Sequence, residues 1–229
     1  KEEYEYLGRA VAGDVQLYLY DPSNHSVVEM IGTPTLDTER VLTYVPGTFA
    51  TDLIFFRDEV QSVAKYLVEK DPNMVAFVWK EGQFPGGNES DGSVELHRIV
   101  ESNVPLLAAW KSLALERFET GLRASSDQLA GSEQIAAGHS WGLTPIVSSE
   151  RNVHFDQVHS LAGAGLPENW QPDPATEYHH WSYIDALGVA QSTGIVWGGK
   201  IPSSEPAFDS HMYLRADEPG AWVFPEIGD

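Results

Sequence analysis

The apolar and polar positions of this chain change period several times along its length. Val15 to Tyr20 reads Val-Gln-Leu-Tyr-Leu-Tyr, nearly alternating and rich in strand formers. Asp21-Pro22-Ser23-Asn24 then turns the chain, and Ser26 to Ile31 is expected to return as an antiparallel strand. Arg40 to Val45 forms a third expected strand, which Pro46-Gly47-Thr48-Phe49 breaks. Over residues 52–69 the period lengthens, with Leu53, Phe56, Val60, Val63, Ala64 and Leu67 at helical spacing. Met74 to Trp79 is continuously apolar, the mark of a strand covered on both faces. A polar, glycine-rich loop follows to Ser93. Val94 to Arg123 is mostly helical and divided at Pro105, with a stripe of Trp110, Leu113, Ala114, Arg117, Phe118, Gly121 and Leu122. A short run from Gln134 to Ala137 leads into Gly138-His139-Ser140-Trp141-Gly142, and residues 143–149 can continue as a helix. Gln157 to Leu161 and Glu177 to Ile184 read as strands, the second ending at Asp185. A proline-interrupted remainder holds a short strand at Met212 to Arg215.

Two hairpin strands followed by strand–helix alternation predict one α/β domain over residues 1–229. Its central sheet is mainly parallel, with helices on both faces and an antiparallel N-terminal edge. Ligands of such sheets bind beyond the carboxyl ends of the strands. The loops after Val45, Trp79, Ala137, Leu161 and Ile184 are therefore expected to build the site.

Composition narrows the partners. A length of 229 residues suits one full core. The net charge of −20 repels phosphates, which argues against nucleic acid and anionic membranes. With no cysteine there is neither a disulfide framework nor thiol chemistry. No apolar run is long enough to span a bilayer. The chain starts Lys1-Glu2-Glu3, without an initiator methionine or signal peptide, as in a mature or trimmed form. Compartment and oligomeric state are not legible, and no cofactor is called for.

The chemistry concentrates at Gly138-His139-Ser140-Trp141-Gly142. A glycine two before and two after a serine, between a strand and a helix, is the arrangement of a nucleophile elbow. The turn is tight and strained, and side chains at the glycine positions would strike neighbouring elements. The following helix aims its amides at the serine.

With this elbow, Tyr44-Val45-Pro46-Gly47-Thr48, Val75-Ala76-Phe77-Val78-Trp79 and Leu115 to Arg123 resemble the α/β-hydrolase superfamily. They look most like its actinobacterial branch labelled a domain of unknown function (DUF1023). The resemblance covers residues 40–210 and implies a serine hydrolase. It departs after Trp79, where Glu81-Gly82-Gln83-Phe84-Pro85 replaces the branch's usual glycine–tyrosine pattern.

A serine needs a base, and the base needs an anion to orient it; in this fold the order is Ser, acid, His. Asp185, at an expected strand end, is the candidate acid, with Asp156 and Asp173 as competitors. His211 is the only histidine after Asp185 and so the candidate base. The resemblance instead sets the branch's histidine near or just beyond Asp229. The expected oxyanion donors are the amide of Trp141 and the Gly47–Thr48 loop. The implied substrate is a small-molecule carboxylic ester. Phe49, Phe55, Phe84, Trp170 and Trp181 suggest an apolar acyl pocket. The alternative is a catalytically silent binding domain without a working base. A metal-dependent hydrolase ranks third, because no His/Asp cluster has ligand spacing, and His179 and His180 point to opposite sheet faces.

Overall fold

The computed structural model describes residues 1–183, 200–215 and 222–223. Its elements in chain order are α1 (Glu2–Ala12), β1 (Gln16–Asp21), β2 (Ser26–Ile31), β3 (Arg40–Val45), α2 (Asp52–Phe56), α3 (Ser62–Lys70), β4 (Met74–Lys80), α4 (Pro105–Ser125), α5 (Asp127–Gly131), β5 (Glu133–His139), α6 (Leu143–Ser149), β6 (Gln157–Leu161), β7 (Glu177–Tyr183), β8 (Phe208–Arg215) and β9 (Trp222–Val223). The strands form one sheet in the order β1-β2-β4-β3-β5-β6-β7-β8-β9. From β4 through β3 to β8 all pairs are parallel, while β1–β2, β2–β4 and β8–β9 are antiparallel. The expected fold class and the N-terminal hairpin are both present.

In the continuous apolar run of β4, Val75 to Trp79 are at 0% exposure, as a strand covered on both faces must be. Alternate side chains feed two cores. Val41, Val45, Phe77, Trp79 and Ala136 pack with Leu115 and Leu122 of α4 and Ile146 of α6. Leu42, Tyr44, Ala76, Val78 and Ala137 pack on the other face with Tyr6 of α1, Phe55 of α2 and Ala64 of α3. The β3-to-β4 crossover packs on one face and the β4-to-β5 and β5-to-β6 crossovers on the other, running in opposite directions across the sheet, as a common right hand requires.

Three local expectations need correction. The helix expected over 52–69 is two helices. Asp58 adopts a left-handed conformation (φ 64°), and buried Gln61 donates to Phe55 O and to the Glu29 carboxylate, so the chain turns inward there. The stripe expected on α4 holds only in part: Ala114 and Leu122 are buried and Phe118 packs against the core, but Trp110, Leu113 and Arg117 are exposed. The buried face runs through Lys111, Ser112, Leu115, Glu119 and Leu122. Hydropathy misplaces it because polar partners satisfy the buried polar groups; Thr43 Oγ1 donates to Glu119 Oε1 at 2.6 Å and Lys111 Nζ donates to Glu81 O. The strand expected at Met212–Arg215 starts earlier, at Phe208.

Candidate active site

Strand β5 ends at His139, and the next residue, Ser140, stands at φ 51° and opens a single turn of 3-10 helix that leads into α6. A non-glycine residue in this region is strained and is held there by its surroundings. Those surroundings require the flanking glycines. A Cβ on Gly138 would lie 2.5 Å from Leu143 Cα, and one on Gly142 would lie 2.2 Å from Val45 O. Gly47, in the loop after β3, is pressed against the same point, since its Cβ would lie 2.8 Å from Ser140 Cβ.

The loop carrying Gly47 and Thr48 is pinned from above. Phe49, itself at φ 68°, donates its amide to Pro85 O at 2.7 Å. Its ring occupies the space that a side chain on Gly86 would fill. Phe84 packs edge-on to Trp141, with ring centroids 5.4 Å apart. The indole of Trp141 donates to Ser102 O at 3.1 Å. On the other side Ala164 N donates to Ser140 O at 3.0 Å. The loops after β3, β4, β5 and β6 thus meet around Ser140, as expected for carboxyl-end loops. Ser140 is 5% exposed.

A groove of about 1310 Å³ runs beside α6 and begins one contact away from this elbow. Ser102, Thr144 and Gly165 wall its near end, and Glu150, Trp170 and Asp173 wall its far end. Of the aromatic residues expected in an acyl pocket, Trp170 lines this groove, Phe55 and Phe84 are core residues, and Trp181 lies on the opposite sheet face. Sequence reasoning missed Glu150. Its carboxylate accepts from Tyr178 Oη at 2.6 Å and from Trp170 Nε1 at 2.9 Å, and burial pushes its pKa up to about 7. The unfolded chain ionises this carboxyl near 4.5, so between the two values the native state holds the extra proton. Stability should therefore fall as pH rises from about 4.5 to 7, by about 3 kcal/mol at most, and level off above. Urea unfolding of Glu150→Gln across that range should show a flattened profile; an unchanged decline would assign it to other groups.

The acid and base expectations fare differently. Asp185 lies outside the described residues. Asp156 accepts from Gln134 N and Asp173 pairs with His154; they precede β6 and β7 at the amino ends of the strands, away from Ser140. His211 is placed within β8. Across the sheet it is level with Trp181, Leu161 and His139, so three strand spacings of ~4.8 Å, about 14 Å, separate it from the end of β5. Its ring stacks on Trp181 at 4.0 Å. His211 thus stands inside β8 and not in the loop that follows it, and the described residues do not bring it to Ser140. Among the described residues no histidine is hydrogen-bonded to Ser140 Oγ. His180 shares a hydrogen bond of 2.8 Å with buried Ser160 Oγ and is held neutral by burial, with a pKa lowered to about 4.

No family model and no curated protein matches this sequence. Among solved structures, a dienelactone hydrolase from Anabaena variabilis superposes on 90% of this chain and 91% of its own, with a TM-score of 0.50 at 13% identity. A dienelactone hydrolase-like promiscuous phosphotriesterase from metagenomic libraries aligns over 88% of this chain and 82% of its own, with a TM-score of 0.46 at 13% identity. An α/β serine hydrolase without lid from Xanthomonas campestris aligns over 82% and 78%, with a TM-score of 0.43 at 15% identity. The strand order, the helices on both faces and the first of these likenesses agree: the chain has an α/β-hydrolase fold.

Proposed function

We propose that this protein is a serine hydrolase of carboxylic esters that forms an acyl-enzyme on Ser140. The observation that carries the reading is the strained Ser140 backbone, set between glycines whose missing side chains are required by contacts of under 3 Å. Holding a serine at positive φ costs backbone strain, and strain of this kind clusters at active sites, which supports use of the hydroxyl. The proposed oxyanion donors are the Trp141 amide and the Gly47–Thr48 loop. Gly47 against Ser140 Cβ supports that choice, since donors must stand near 3 Å from the developing anion. Asp185 is the proposed acid. A small apolar ester with its longer arm in the groove beside α6 fits the lining by Leu166, Pro167 and Trp170. Kinship with the actinobacterial branch named above belongs to the same proposal and rests on Tyr44 to Thr48 and the elbow.

A second reading, a silent binding domain, has one observation in its favour: His211 stacks far from Ser140. A serine without an imidazole keeps only the catalysis of its oxyanion hole and binding, 10³–10⁴-fold over water. Labelling with a fluorophosphonate separates the two. An activated Ser140 should be modified stoichiometrically by the native chain and not by the urea-unfolded chain. A native chain that stays unlabelled would favour the silent domain.

A further inference from the structure

We infer that His179, Asp209 and His211 form a binding site for a divalent transition-metal ion of the zinc class, on the sheet face opposite α4 and α6. Register creates the cluster. His179 on β7 lies opposite Asp209 on β8, and Trp181 lies opposite His211. The two-residue strand period puts all four side chains on one face. One ligand atom from each of His179, Asp209 and His211 falls within 4.8 Å of the others. His211 Nε2 stands 3.3 Å from Asp209 Oδ2, close to the spacing of about 3.4 Å between ligands in a tetrahedral shell of 2.0–2.1 Å bonds.

The state of the imidazoles distinguishes this group from an ordinary surface cluster. Among the described residues, His179 Nδ1 and His211 Nε2 are shut off from solvent and have no hydrogen-bond partner, the Asp209 carboxylate only approaching His211 Nε2 at 3.3 Å. Buried nitrogens of this kind cost free energy unless something fills the gap between them. Their rings are already held in place: His211 stacks on Trp181 at 4.0 Å and 17°, and His179 stacks on His159 at 5.0 Å and 17°. His159 itself is spent. Trp181 Nε1 donates to its Nδ1, which leaves the ring proton on Nε2 facing Gln157 Oε1 at 3.0 Å. The other nitrogen of His179, Nε2, lies 3.9 Å from the exposed Glu177 carboxylate, beyond hydrogen-bond distance. Two imidazoles and one carboxylate suit zinc, cobalt or nickel, whereas magnesium and calcium prefer all-oxygen shells. Asp209 is exposed, so the ion reaches its site from solvent and keeps a water as its fourth ligand. The comparable group of His25, Asp52 and Glu89 needs no ion, because the Lys80 ammonium already sits 2.7 Å from Asp52 and 2.9 Å from Glu89. The consequence for the fold is a clamp between β7 and β8.

Calorimetric titration of chelator-treated protein with Zn²⁺, paired with the ligand-field absorption of bound Co²⁺, tests this site. The expected result is saturable binding of one ion per chain, undisturbed by excess Mg²⁺. Asp209→Asn, at an exposed side chain that folding does not depend on, and His179→Ala should each weaken binding at least about tenfold. His97→Gln, at an exposed histidine outside the cluster, should leave it unchanged. Absence of saturable binding, or equal affinity in Asp209→Asn and the parent, would overturn the site.

Discussion

Ser140→Ala should reduce turnover of a short p-nitrophenyl ester to the background rate, with a melting temperature close to the parent's. Loss of the nucleophile in a complete triad costs on the order of 10⁶-fold in kcat, the largest effect any single side chain here can have. Alanine meets the same backbone strain at φ 51° as serine does, and the described Ser140 contact to Ala164 is made by the main chain, so the fold has no reason to respond. Turnover that persists in the folded variant would place the chemistry elsewhere.

Gly142→Ala should have the largest effect on stability. The added methyl would lie 2.2 Å from Val45 O and 2.4 Å from Pro46 O. Both obstacles are backbone, so no rotamer change relieves them and the elbow must move away from β3. Forced overpacking against main chain should cost at least about 3 kcal/mol, a fall of roughly 6–12 °C in Tm for a chain of this size. Gly121→Ala provides the contrast. It lies on α4 with open space where the Cβ would go, and the gain in helix propensity should stabilise by up to about 1 kcal/mol. Thermal melts of the two variants should move in opposite directions; a Gly142→Ala protein as stable as its parent would mean that the elbow is looser than these contacts require.

The parts of the molecule that sequence reveals are those where one local rule dominates. The apolar run of β4, the hairpin of β1 and β2 and the glycines around Ser140 follow from burial, alternation and steric demand, and each stands where its pattern puts it. The α4 stripe was legible only in part because Glu119 and Lys111 are buried by virtue of partners distant in sequence, Thr43 and Glu81. The break between α2 and α3 was hidden in the same way, since Gln61 turns inward only because Glu29 awaits it on β2. Chain order singles out His211, but that rule says nothing of where along a strand a residue stops. The His179–Asp209–His211 group could not be read from spacing at all, because strand pairing rather than sequence interval brings it together. Glu150 carries no motif, and its perturbed state arises from Tyr178 and Trp170, which reach it across the groove.

The central claim is that Ser140 Oγ takes the acyl group of an ester. Rapid-quench mass spectrometry of the chain mixed with p-nitrophenyl acetate tests it most directly. The account predicts a transient acetyl adduct on the peptide containing Ser140, formed with the first equivalent of p-nitrophenol and absent from Ser140→Ala. An adduct on any other residue, or p-nitrophenol released with Ser140 unmodified throughout, would contradict it.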